Sequence, residues 1–228
     1  MRSLITILLL CLTLGAVAQR DQSNPFLNDA NGRPLFWGAN YVSEGSPFFL
    51  EQYNFAVILL ANGESYSEVK VKYNLQEHWV QYQTEDGKEM MSLSAIKKIY
   101  FGPMVLPDGV FENVTLEAVN GLLNDKKADI YQVLDSGRIS WMRKLTVTYS
   151  DIQRYSEATI TRQFVRTEID YIRKPDGSLV KMEKNREFFT GLMSDHQQEI
   201  NTWLDQHMIS FKKTQDLLGL IRYYNSLP

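Results

Sequence analysis

The sequence predicts an α+β fold in which an antiparallel β meander (a twisted sheet, a sandwich or an open barrel) comes first and two or three C-terminal helices follow. Three observations predict it. Apolar residues recur at period two through the middle of the chain, turn dipeptides containing Gly separate those runs, and the period changes to three and four near the end.

The chain opens on something else. Met1 and Arg2 give a positive start, Leu4 to Leu14 is almost unbroken apolar sequence, and Gly15-Ala16-Val17-Ala18 precedes the polar Gln19-Arg20-Asp21. This is the pattern of a secretory signal peptide, residues 1–18, cut after Ala18. The run is shorter than the roughly 18 to 20 residues a bilayer-spanning helix needs. The expectation is an exported chain in the periplasm or at the cell surface, soluble and without a transmembrane segment once cleaved. Cys11, the single cysteine, lies inside the run after Leu10, where a lipoprotein signal needs a small residue. Cleavage also removes Arg2, so the net charge of -3 becomes -4 and no thiol remains. Without disulfides, the domain is held by burial.

Residues 19–43 are rich in Asn, Gly, Pro and Asp and read as an irregular lead-in, with Phe36 and Trp37 available to pin it. The β body spans residues 44–184. Its clearest strand sets Val69, Val71, Tyr73 and Leu75 against Glu68, Lys70, Lys72 and Asn74. Val80 with Tyr82, and Ile139 with Trp141, Leu145 and Val147, repeat the pattern. Val165, Ile169 and Tyr171 read as the apolar face of a further strand, with Arg166, Glu168 and Asp170 turned to water. Asn62-Gly63, Asp86-Gly87, Ser136-Gly137 and Asp176-Gly177 fall between such runs, where a tight hairpin calls for positive φ. A parallel α/β fold is disfavoured, because crossover helices between strands are missing.

Residues 185–228 are the helical segment, packed on the β body. A short helix is expected at Arg186 to Leu192. Ser194 with Gln197 suggests a capping box before a helix with the stripe Ile200, Trp203, Leu204, His207 and Met208. Thr214 is the expected cap of a last helix with the stripe Leu217, Leu218, Ile221 and Tyr224.

Several function classes lack their residues. With 24 basic and 27 acidic side chains, no electrostatic footprint for nucleic acid exists. Neither GxGxxG nor GxxxxGK[ST] occurs, and Gly63-Glu64-Ser65-Tyr66-Ser67 lacks the last Gly of a hydrolase elbow. A DxDxDG calcium loop is absent. His196 and His207 stand eleven residues apart on one expected helix, about 16 Å, too far to share a metal. His196 could meet Glu199, but HExxH is absent, and His78 reads as a surface or turn residue. No catalytic, cofactor-binding or metal residue is therefore assigned, and no cofactor is expected. Glu168 and Asp170 share a strand face at a separation that suits paired-carboxylate hydrolysis, although cross-strand charge pairing explains them more simply. Trp37, Trp79, Trp141 and Trp203 could line a cleft, yet mostly occupy apolar positions. Tyr223 and Tyr224 cannot both face inward on one helix. Asn113-Val114-Thr115 matches a glycosylation sequon, which carries weight only in a eukaryotic source.

Glu44-Gly45-Ser46-Pro47-Phe48-Phe49, Val71-Lys72-Tyr73-Asn74-Leu75, Glu85-Asp86-Gly87-Lys88, and Ile209-Ser210-Phe211-Lys212-Lys213 through Asp216-Leu217-Leu218 to Ile221-Arg222-Tyr223-Tyr224-Asn225 carry a resemblance. From about Gly45 to the C-terminus the chain resembles a family of uncharacterised exported proteins of Bacteroidota. The resemblance implies a Gram-negative envelope protein and supplies no catalytic residue. Three functions stay open: a non-catalytic binding or scaffolding module for an unknown envelope component, a carrier of an apolar ligand in a β cavity with a helical lid, and a carboxylate-based hydrolase.

Overall fold

The computed structural model describes residues 33–34, 41–111, 113–153 and 159–228. The expected signal peptide with Cys11, most of the lead-in, Phe36 and Trp37 lie outside the described residues. In chain order the strands are β1 (Arg33–Pro34), β2 (Tyr41–Glu44), β3 (Asn54–Leu60), β4 (Ser65–Asn74), β5 (Trp79–Gln83), β6 (Glu89–Met91) and β7 (Ile96–Phe101). They continue as β8 (Met104–Leu106), β9 (Gly109–Phe111), β10 (Val114–Val119), β11 (Asp129–Asp135), β12 (Ser140–Ile152), β13 (Ile160–Arg173) and β14 (Leu179–Lys181). Three helices follow: α1 (Arg186–Leu192), α2 (Gln197–His207) and α3 (Thr214–Ser226). The expected α+β order holds. The stretch expected to be an irregular lead-in contributes two short strands, β1 and β2.

Among the described residues, twelve strands form one sheet in the order β1-β6-β5-β4-β3-β7-β10-β11-β12-β13-β14, with β2 joining β13 in parallel, and β8 and β9 make a separate hairpin. The four turn dipeptides join β3 to β4, β5 to β6, β11 to β12 and β13 to β14. Gly63, Gly87 and Gly177 adopt positive φ as a tight turn requires. Gly137 does not; a Cβ there would stand 2.5 Å from the Asn225 side chain, so this glycine makes room for α3.

The sheet is not a closed barrel, but it curls. Along it, β4 and β13 lie six strand spacings apart, about 29 Å in a flat sheet. Yet one strap joins them: Phe49 N–H donates to Tyr73 O of β4 at 2.8 Å, and Arg166 of β13 donates to Phe48 O and Phe49 O at 2.5 and 2.8 Å.

The register places Ile58, Ile99, Leu116, Gln132, Arg143 and Asp170 in one cross-strand row on the concave face. Around that row lies one apolar core of strand residues with Phe189, Met193, Ile200, Leu204, Leu217, Leu220 and Ile221 from the helical segment. Ile58, Ile99, Leu116, Trp141, Phe189 and Leu220 are 0 % accessible, so no water-sized void adjoins them. Loop 120–128 folds over one end of the curl: Leu123 is buried, its carbonyl accepts from Tyr73 Oη at 2.6 Å, and its N–H donates to Ile96 O.

The helices begin differently from expectation. Asn185 caps α1 by accepting from Phe188 N–H at 2.8 Å. Ser194 opens a 3-10 turn, Ser194–His196, in place of a capping box, and α2 starts at Gln197 with no side-chain cap bond. Thr214 is itself the first residue of α3, after Lys213. Its hydroxyl is turned to Asp108 at 3.4 Å. The last helix is fixed by Asn225, which accepts from Ile139 N–H and donates to Ile139 O, at 3.0 and 3.1 Å. Among the described residues, no helix is long and apolar enough to cross a membrane.

Candidate functional site

Strand β13 reverses the sequence reading. Asp170 pairs with Arg143 and Ile172 with Trp141, so Arg166, Glu168 and Asp170 share the concave face with the core, whereas Val165 points outward and is 50 % exposed. The physical reason is a cation the strand pattern passes over. Arg143 sits between Trp141 and Leu145 on β12, its side chain only 6 % exposed, and a buried guanidinium demands acids beside it.

Those acids are the ones singled out in the sequence. Arg143 Nε donates to Asp170 Oδ1 at 2.8 Å, and Nη1 lies 3.4 Å from Glu168 Oε2 and pairs with Asp108 from the β8–β9 hairpin. Trp141 Nε1 donates to the same Asp170 oxygen at 3.0 Å, while Lys184 holds the other at 3.0 Å. Burial pushes Asp170 up, but the hydrogen bond and charge of Arg143, with Trp141 and Lys184, outweigh it and hold the carboxyl below its ordinary range. Burial likewise disfavours charged Arg143, and Asp170 and Asp108 more than restore it. Such a carboxylate is a poor proton donor at neutral pH, and its two oxygens are both engaged. As an arrangement this is a clamp: it ties β12 and β13 to the β8–β9 hairpin and to the segment entering α1, and Asp108 extends it to the start of α3.

A second buried ion cluster occupies the other face. Glu117 on β10, its side chain 5 % exposed, is held by Lys98 and Arg173, each at 2.6 Å. Tyr131 and Tyr171 meet edge to face nearby, with centroids 5.9 Å apart.

An open notch lies where β11 ends and β12 continues. It has a volume of about 280 Å³. Leu75, Ala128, Ile130, Leu145 and Val147 form its apolar part, and Lys126, Lys127, Lys144 and His78 its rim. Lys126 pairs with Glu77 at 2.9 Å and Lys144 with Asp129 at 2.6 Å, while the His78 ring Nδ1 lies 2.8 Å from Asp125 O. Pattern reading along the chain could not assemble this notch, because its lining comes from three separate segments.

The remaining sequence candidates disperse. His196 packs edge-on against Tyr224 and lies 3.9 Å from Glu199, while His207 stacks on Trp203 with centroids 4.2 Å apart. Tyr223 takes the half-buried position beside Trp203, and Tyr224 is buried with its hydroxyl on Asp195 at 3.0 Å. Trp141 is core; Trp79 is half-buried at the start of β5. Among the described residues, no group of three or more His, Cys, Asp and Glu side chains could hold a metal ion.

Beyond the notch the β12–β13 hairpin runs on as a ribbon that, among the described residues, is paired only with β2. On one of its faces β12 and β13 carry Thr146, Thr148, Ser150, Ile152, Gln163, Val165 and Thr167, all exposed and none charged; Thr161 on the same face is buried, and Glu44 of β2 stands beside Gln163 at its margin. On the other face the Arg162 guanidinium lies between the Tyr41 and Tyr149 rings, 4.2 and 4.0 Å from their centroids, and grips Asp151 with two bonds of 2.7 Å.

The chain matches no protein-family model, no curated protein and no solved structure.

Proposed function

We propose that this chain is an exported, non-catalytic binding or scaffolding module of a Gram-negative cell envelope, one of the Bacteroidota family it resembles. The observation that carries the reading is the contrast between engaged acids and a bare ribbon. Asp108, Glu168 and Asp170 surround Arg143 instead of facing a reaction centre, while the β12–β13 part of one ribbon face, which carries no charge, is left open to solvent. Ordinary surfaces intersperse charges; a contiguous uncharged stretch suits contact with another macromolecule. The experiment is site-specific photo-crosslinking in intact cells from Ser150 and Val165, with Glu85 in the β5–β6 turn as control. One dominant product from the ribbon positions, absent from the control position, is expected, in native protein beginning at Gln19. Equal labelling from all three positions would sink the reading.

The notch favours a second reading, as a site for a small ligand with an apolar body and an acidic group. Native mass spectrometry of the protein purified from its own envelope tests this, since an added mass lost in Leu145→Asp is required.

A further inference from the structure

Pairing between β11 and β12 ends at Ile130 with Leu145. Among the described residues, nothing therefore pairs with the β11 side of Thr146–Ile152. Natural edge strands are guarded by Lys, Pro, a bulge or shortness. This edge, Thr-Val-Thr-Tyr-Ser-Asp-Ile, has none of these guards, and its register with β13 runs unbroken from Ser140 to Ile152. Its single charge, Asp151, is already held by Arg162. Of eleven exposed large hydrophobic side chains among the described residues, five (Val42, Tyr149, Ile152, Ile160 and Val165) lie on this three-strand ribbon.

We propose that two copies of the chain join through this edge, β12 against β12 and antiparallel, so that two curled sheets become one continuous sheet about a two-fold axis. Charge selects a second copy as the occupant. From Gln19 onward the chain carries a net charge of -4 and repels its like, and the β12 edge, whose one acid is held by Arg162, is where that repulsion is weakest. In antiparallel self-pairing, like charges oppose each other only in the single register that sets Asp151 against the partner's Asp151, so every other register is free of that penalty. The antiparallel sense also carries the partner's Asp151 and the partner's Ile152 toward the notch, where Lys127, which stands outside the Lys126–Glu77 and Lys144–Asp129 pairs, offers positive charge and Leu145 and Val147 an apolar surface. The contact is isologous and closes at two, because each copy has one such edge to give. A seven-residue ladder is small against the roughly 800 Å² per partner of a stable interface, so the dimer dissociates on dilution.

This inference does not rest on the proposed function, since a catalytic protein could pair in the same way. Sedimentation velocity of the chain from Gln19, from micromolar to submillimolar concentration, is the test. The expected result is a monomer that becomes a dimer, with the double variant Thr148→Lys/Ser150→Lys weakening association by at least about tenfold. Both side chains are exposed, and unchanged circular dichroism shows that the variant folds. As a second measurement on the unaltered chain, a fluorescein-labelled heptapeptide with the sequence of residues 146–152 should bind and dissociate the dimer. A wild-type monomer at every concentration overturns the proposal, as does a dimer indifferent to the two lysines. A monomer that binds the heptapeptide also overturns it, and assigns the edge to a foreign strand.

Discussion

In the inner half of the β12–β13 hairpin, Trp141, Met142, Arg143 and Leu145 are buried from both faces of the sheet, whereas in the outer half Thr146, Thr148, Tyr149, Ser150 and Ile152 are exposed and Val147, next to the boundary, is the one buried side chain on β12. The two halves share a register without a bulge. What separates them is a neighbour: β11 flanks the inner half and stops at its end. The comparison teaches that burial along one strand is set by where the adjacent strand ends, and that local alternation carries only half of that information. Composition follows the change, from Trp, Met, Arg and Leu inside to Thr, Val, Tyr and Ser outside.

The largest effect should come from the inner half. Trp141→Ala removes a fully buried indole and the N–H that donates to Asp170, and should cost about 3 to 5 kcal/mol in urea unfolding. If it cost no more than a substitution in the ribbon, the division between halves would fail.

Next is the clamp. Arg143→Met leaves Asp170 buried with Lys184 as its one remaining cation, and should cost about 3 kcal/mol. Replacing both partners, Arg143→Met with Asp170→Leu, should recover most of that loss, which distinguishes an unpaired charge from a packing defect. Acid makes the same point. The folded-state pKa of Asp170 lies below its unfolded value, so its stabilisation is full above the ordinary aspartate range near pH 3.9 and is lost as the pH falls through the lower folded value. Arg143→Met should therefore flatten the decline of unfolding free energy between about pH 5 and pH 2. An unchanged slope would assign the acid sensitivity to other carboxylates.

The β-rich body, its four hairpins and the terminal helices were legible because Val69, Val71, Tyr73 and Leu75 alternate against charge and because Leu217, Leu218, Ile221 and Tyr224 repeat at helical spacing. Strand β13 was not. Its alternation of Val165, Ile169 and Tyr171 with Arg166, Glu168 and Asp170 is clean, and hydrophobicity alone turns it the wrong way. Asp170 faces the core because Arg143, 27 residues earlier, is there to meet it. That pairing is settled by strand order, which leaves no local trace. The notch was hidden for the same reason. Gly137 looked like a turn residue in sequence, although its requirement is the side chain of Asn225 from the far end of the chain.

A smaller effect of opposite sign is expected beside the clamp. Gln132 opposes Arg143 across β11 and β12, is 3 % exposed, and its amide nitrogen has no hydrogen-bond partner. Gln132→Met keeps the shape and removes the unsatisfied donor, so it should stabilise the fold by about 1 kcal/mol. Destabilisation would mean that the amide is satisfied by water.

The smallest change in global unfolding is expected at Arg162, and it sharpens the comparison most. Its guanidinium holds the outer half together from one face, lying between Tyr41 of β2 and Tyr149 of β12 and gripping Asp151. No residue of the clamp around Arg143 depends on it. Arg162→Ala should leave the urea midpoint where it was, because the groups it frees lie on solvent-exposed backbone outside the packed core. Amide hydrogen exchange should tell the halves apart: faster from Thr146 to Ile152 and from Ile160 to Val165, unchanged from Ser140 to Leu145. If the inner half loosened with the outer, the hairpin would unfold as one cooperative unit. The limit of β11 would then mark a change in exposure with no matching change in stability.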